Sequence, residues 1–109
     1  MKARIPGQQG GGANMMKKLQ EVQAAMEKAQ ADVEASEFTA STGGGVVEVT
    51  VNGAHEVRAI EIKPEVVDPD DLEMLSDMLI VAINEAMKKA DDAMSRAMDS
   101  ARGGLNLPF

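Results

Sequence analysis

From Asp68 to about Arg102 the sequence reads as one long helix, and nothing else in the chain is long enough to cover it. At about 1.5 Å per residue it spans roughly 50 Å. A strand of about seven residues spans roughly 23 Å. A sheet of such strands covers part of the helix and leaves its far half projecting. The near half is broadly apolar, with Leu72, Leu75, Leu79, Ile80 and Ile83. The far half narrows to Met87, Ala90, Met94 and Ala97, spaced three or four apart like a helix–helix seam. Asp68 suits the N-cap and Pro69 the first helical position, and Asp70, Asp71 and Glu73 complement the positive end of the helix dipole. Gly103 and Gly104 mark the stop.

A second seam lies near the start of the chain. Asn14 suits an N-cap, and Met15, Leu19, Val22, Met26, Ala29 and Val33 then recur in alternating steps of four and three. This helix is expected to end near Ala35. Two narrow seams point to helices packed on each other, within the chain and across a dimer. The seam residues are Met15, Leu19, Val22 and Met26 on the first helix, and Leu79, Ile83, Met87 and Met94 on the second. If each seam packed only on its own sheet, the mismatch in length would be unexplained. Composition adds to the case. The chain has 109 residues, nine Met, no Trp or Tyr, and Phe only at 38 and 109. So thin an aliphatic core gains from a second copy.

Between the helices the period changes. Residues 38–42 suit a short strand, and Gly43, Gly44 and Gly45 break it. In 46–52, Val47, Val49 and Val51 alternate with Glu48 and Thr50, as in a half-buried strand. Asn52-Gly53 signals a hairpin. A third strand follows over about 56–63. Its alternation slips between Val57 and Ile60, which calls for either a bulge or a loop longer than two residues. The order gives an α+β fold, helix–three-stranded antiparallel sheet–helix (α-β-β-β-α), as a tweezer-like homodimer with protruding helices. Residues 1–13 read as a flexible Gly/Gln-rich tail, 14–102 as a single domain and 103–109 as a C-terminal tail.

Several chemistries lack their parts. Cysteine is absent, which removes disulfides and thiolate chemistry. The start has charge but no apolar stretch behind it, and no run approaches membrane-spanning length. A cytoplasmic location is expected. The single histidine, His55, sits at the hairpin, where a turn or surface role fits better than metal binding. The acids at 68, 70 and 71 lack the spacing of a calcium loop, and capping explains them. Neither glycine run has the Lys-Ser/Thr of a phosphate loop. No catalytic residue, metal, cofactor or small-molecule substrate is expected.

Net charge is −7, yet it is local. Between Glu61 and Asp77 stand seven acids against Lys63 alone, while residues 1–30 hold five bases and two acids. On the first helix Lys17 and Lys28 share a face away from the seam, with Lys18 beside it. On the second, Lys89 and Arg96 share a face, with Lys88 adjacent. Glu85 precedes Lys89 by four and Asp92 precedes Arg96 by four, so these bases read as a solvated, ion-paired face. The first-helix lysines have fewer acidic neighbours and are the better phosphate candidates.

In order and spacing, several segments resemble the YbaB/EbfC family of bacterial nucleoid-associated proteins. They are Asn14-Met15-Met16-Lys17-Lys18, the hairpin from Gly44-Gly45-Val46-Val47 to Ala54-His55, Ile60-Glu61-Ile62-Lys63-Pro64, Leu72-Glu73-Met74-Leu75-Ser76-Asp77-Met78-Leu79 leading to Ala82-Ile83-Asn84-Glu85-Ala86, and the closing Pro108-Phe109. The resemblance covers nearly the whole chain from residue 10. It implies a tweezer-shaped homodimer, binding to double-stranded DNA with little sequence preference, a nucleoid location and effects on gene expression. Carried over by position, Lys17, Lys18, Lys28, Lys88, Lys89 and Arg96 become the DNA-binding residues. A competing reading is a protein-binding adaptor that uses the acidic stretch 61–77 and the helix grooves. Membrane-surface binding is disfavoured by the acids on the helices' polar faces.

Overall fold

The computed structural model describes residues 6–103, with side chains from residue 14 onward. Helix α1 spans Pro6–Ala35, strands β1, β2 and β3 span Glu37–Thr42, Val47–Asn52 and Val57–Ile62, and a short 3-10 turn at Pro64–Val66 leads to helix α2, Leu72–Gly103. The expected α-β-β-β-α order is the one observed. The strands form a single antiparallel sheet in sequence order β1-β2-β3. The molecule is long and narrow, 88 × 23 × 17 Å.

Two helix starts differ from expectation. α1 begins at Pro6 rather than Asn14, continuing back through the Gln/Gly run. Glycine weakens a helix by about 1 kcal/mol relative to alanine but does not forbid it, and proline fits a first turn. Residues 1–5 of the expected N-terminal tail, and 104–109 of the C-terminal one, lie outside the described residues. α2 begins at Leu72 rather than after Asp68. Asp68 instead folds a turn, in which its carboxylate accepts the Asp70 amide at 2.9 Å and its carbonyl the Asp71 amide at 2.9 Å. The cap falls to Asp71, whose carboxylate accepts the Met74 amide at 3.2 Å. Either aspartate has the required short acceptor, and the turn around Pro69 hands the role to the second.

The core lies between α2 and two of the strands. Val47, Val49 and Val51 are fully buried, as their alternation requires, and meet Ala82, Ala86 and Ala90 of α2. The small alanines let the helix axis come close to the sheet. Phe38, Leu75, Met78, Leu79, Ile83 and Met87 pack around this centre. The opposite face of the sheet is polar. Thr39 and Thr50 join hydroxyls there at 3.2 Å, and Glu48 stands directly across from Glu61.

The hairpin between β2 and β3 has both features left open by the sequence. Its turn is longer than two residues, and a bulge lies at Thr50/Val51. Asn52 organises the turn, its carboxamide oxygen accepting the amides of Ala54 and Glu56 at 2.9 and 3.0 Å. Gly53 has a different use from the one its motif advertises. A Cβ there would sit 2.1 Å from the carbonyl oxygen of Val33, so glycine is needed for close approach to α1. The positive φ falls on His55 instead. The β1–β2 turn does use left-handed glycine, at Gly43, Gly44 and Gly45 in succession.

Candidate nucleic-acid interface

Both helices leave the sheet at the same end. Asp91 of α2 contacts His55 in the β2–β3 turn, and Val33 of α1 packs on Gly53 in that turn. Beyond these points Ala25, Ala29 and Val33 of α1 face Ala97, Ser100 and Ala101 of α2 across a shared groove. The helices therefore run antiparallel, and α2 ends at Gly103 while α1 continues outward. At about 1.5 Å per residue, α1, which starts at Pro6, projects roughly 30 Å beyond Gly103.

This arrangement divides the predicted seam. Val22 and Met26 are half-buried, as is Met94, and Leu79, Ile83 and Met87 surround the core. Met15 and Leu19, at 56% and 51% exposed, lie on the overreaching part of α1.

The six cationic side chains fall into two kinds. Lys17 and Lys18 stand exposed on the overreaching part of α1, and neither they nor Lys88 nor Arg96 makes an ion pair among the described residues. Lys28 pairs with Asp32 at 3.0 Å, one helical turn on, with both groups well exposed. Lys89 is tied to the sheet, its ammonium donating to the Thr39 carbonyl of β1 at 2.7 Å. The ion pairs Glu85–Lys89 and Asp92–Arg96 expected from spacing are not formed. Lys89 turns toward the β1 carbonyl instead, where a fixed acceptor replaces a mobile carboxylate. Arg102, which spacing did not single out, pairs with Asp99 at 2.6 Å in the last turn of α2.

Charge is sorted along the molecule. Asp68, Asp70, Asp71, Glu73 and Asp77 lie at the start of α2, near the β1–β2 turn, where Gly43 meets Met78. Lys17 and Lys18 lie at the other pole. The acidic run in the sequence is thus an acidic end of the molecule, far from the projecting lysines.

A second surface escaped the sequence reading. The bulge places Val57, Ile60 and Ile62 on the same side of the sheet as Val51, Val49 and Val47, their register partners. They remain exposed because α2 packs on β1 and β2 and does not cover β3. The flank of α2 that faces them is the one carrying Asp91, since Lys89 on the other flank reaches β1. By helical spacing Ile80, Ile83 and Met87 share the Asp91 flank. Ile60 and Ile80, 44% and 56% exposed, border this apolar trough. The slip in alternation between Val57 and Ile60 signalled the change of register that turns these side chains to the Val47 face, but not that α2 leaves them uncovered.

The model of the YbaB/EbfC DNA-binding family matches residues 9–105. The chain belongs to that family. Among its relatives, a nucleoid-associated protein of Clostridium acetobutylicum is 50% identical over 108 residues, covering 98% of this chain and 96% of its own. A nucleoid-associated protein of Alkaliphilus metalliredigens is 53% identical over 95 residues, 87% and 83% of the two chains. A crystal structure of an uncharacterised protein from Helicobacter pylori shares the fold, with a TM-score of 0.59 and 22% identity over 72% of this chain and 90% of that one. This YbaB/EbfC member has no described helix long and apolar enough to cross a membrane, and its described residues contain no cluster of His, Cys, Asp or Glu able to hold a metal ion.

Proposed function

We propose that this YbaB/EbfC member is a homodimer that binds double-stranded DNA with little sequence preference, through cationic side chains on its projecting helices. It works in the nucleoid, within the cytoplasm, and modulates gene expression by occupying DNA. The observation that carries this reading is the separation of charge along the long axis. Lys17 and Lys18 stand on the arm that overreaches α2, while the acids gather at the opposite pole. Such a molecule approaches a polyanion arm-first, because the field steers its acidic end away. Contacts from lysine to phosphate position a protein without reading bases, in keeping with low sequence preference. Lys28, Lys88 and Arg96 extend the cationic surface, and Lys89 joins it while holding β1.

The dimer is supported by the uncovered trough. Val57, Ile60 and Ile62 beside Ile80 form an apolar surface on a chain whose core is thin, and a second copy of the same surface covers it. A two-fold arrangement through this trough leaves the arms of both copies free.

A salt-titrated gel shift on random duplex DNA tests the binding. Log affinity is expected to fall linearly with log salt, and Lys17→Glu/Lys18→Glu is expected to reduce the magnitude of that slope by about 4, close to one for each phosphate left without its lysine, two on each copy of the dimer. Salt-independent retardation, or an unchanged slope in the variant, moves the site elsewhere.

The acidic pole favours a second reading, an adaptor for a basic partner protein. Recovery of one stoichiometric protein from nuclease-treated extract would support it, whereas recovery lost on DNA removal supports DNA as the bridge.

A further inference from the structure

Three apolar side chains stand in the open on the projecting part of α1. Met15, Met16 and Leu19 are each more than half exposed. An α-helix turns about 100° per residue, so Met15, Leu19 and Met16 share one sector about 100° wide. Lys18 borders that sector about 60° beyond Met15, and Lys17 borders it about 100° beyond Met16. Glu21 is the one acid in residues 14–26, and it falls on the far side of the helix from the sector. The next acid, Glu27, lies about 12 Å back along the axis from Leu19. The arm therefore presents an apolar strip between two cationic rims.

That pattern selects what can cover it. A second copy laid strip to strip would bring the lysines of both arms together, with no acid beside them to offset the repulsion. A polyanion whose apolar groups are recessed between its charges meets both features. Duplex DNA is such a surface. Its major groove is about 12 Å wide and admits an α-helix, whereas the minor groove, about 6 Å wide, does not. Phosphates line the rims of the major groove, and every thymine places a 5-methyl group on its floor.

Resting on the DNA-binding reading above, we propose that Met15, Met16 and Leu19 lie against thymine methyl groups in the major groove while Lys17 and Lys18 hold phosphates on its two rims. Methionine is unbranched and flexible, so the strip conforms to methyls at varied spacing. Every A·T pair offers a methyl in either orientation, so the contact favours a composition and not a defined sequence.

The unmodified full-length protein is titrated against two duplexes of one sequence, one with thymidine and one with deoxyuridine, which lacks only the 5-methyl. Affinity is expected to fall about tenfold on the deoxyuridine duplex, with the slope of log affinity against log salt unchanged, because methyl contacts release no counterions. Met15→Ala/Met16→Ala/Leu19→Ala, which keeps good helix propensity, is expected to bind both duplexes alike, also with the slope unchanged. Salt-dependent binding that is equal on the two duplexes for the unmodified protein overturns the methyl contact and leaves the phosphate contacts standing. Absence of salt-dependent binding to either duplex overturns the DNA reading itself, and the strip with it. A triple variant that still discriminates between the duplexes places the methyl contact on other residues. A triple variant that sediments as a smaller species than the unmodified chain assigns the strip to a second copy.

Discussion

Two glycines in this chain do different work, and one substitution at each separates them. Gly44 has a φ of +72° and open space around it, so Gly44→Ala costs only the strain of a left-handed alanine, about 1 kcal/mol. A Cβ at Gly53 collides with the Val33 backbone, and Gly53→Ala costs about 2–3 kcal/mol by forcing α1 off the hairpin. Urea unfolding of both variants checks the order, and equal costs would mean that α1 yields freely at this contact. Lys89 offers a second comparison. Lys89→Ala removes the bond to the Thr39 carbonyl and is expected to lower stability by about 1 kcal/mol, whereas Lys17→Ala leaves stability unchanged within about 0.5 kcal/mol. Single residues were the least legible level of the sequence. Asn52-Gly53 announced a turn correctly but gave the wrong reason for its glycine, because the constraint comes from α1, some twenty positions earlier. Spacing predicted Glu85–Lys89 and Asp92–Arg96 ion pairs on one helix, and a carbonyl on another element won the contest for Lys89.

At the level of elements the sequence was far more informative. Alternation in Val47, Val49 and Val51 identified the buried face of β2, and unbroken helical spacing located α2 to within a turn at either end. These patterns are local, so no knowledge of the partner element was needed. The identity of the buried helix face was less plain. The sequence showed only that the near half of α2 is broadly apolar; the contact with the sheet is made by Ala82, Ala86 and Ala90, and Leu72 and Ile80 stand exposed. Ala86→Leu is accordingly expected to cost about 1–3 kcal/mol, although leucine has good helix propensity and the substitution adds apolar surface. A thermal melt at or above that of the unmodified chain would show that the α2–sheet interface has room to spare.

The whole molecule is an elongated body with its charge sorted toward opposite poles and one apolar trough along β3. Its arms were legible because helix and strand lengths disagree on paper, but the trough was not. Exposure of Val57, Ile60 and Ile62 depends on where α2 lies across the sheet, and no residue pattern states that. Ile60→Asp places a carboxylate in the trough and is expected to raise the dimer dissociation constant by about 100-fold or more, read by sedimentation across a concentration series. The strands and α2 should keep their circular dichroism, since Ile60 lies outside the core. Unaltered sedimentation would place the two-fold contact on another face.

The antiparallel packing of the arms has a further consequence during synthesis. α1 leaves the ribosome first, yet the part of α2 that supports it is encoded roughly seventy residues later. At about 5–20 residues per second, the nascent arm waits several seconds before residues 97–101 come to face Ala25, Ala29 and Val33. A stripe with alanine at these positions exposes less apolar surface over that interval than a Leu- or Phe-lined seam would. The alanine-lined, aromatic-free character of this contact is therefore suited to the order in which the chain is made as well as to its folded form.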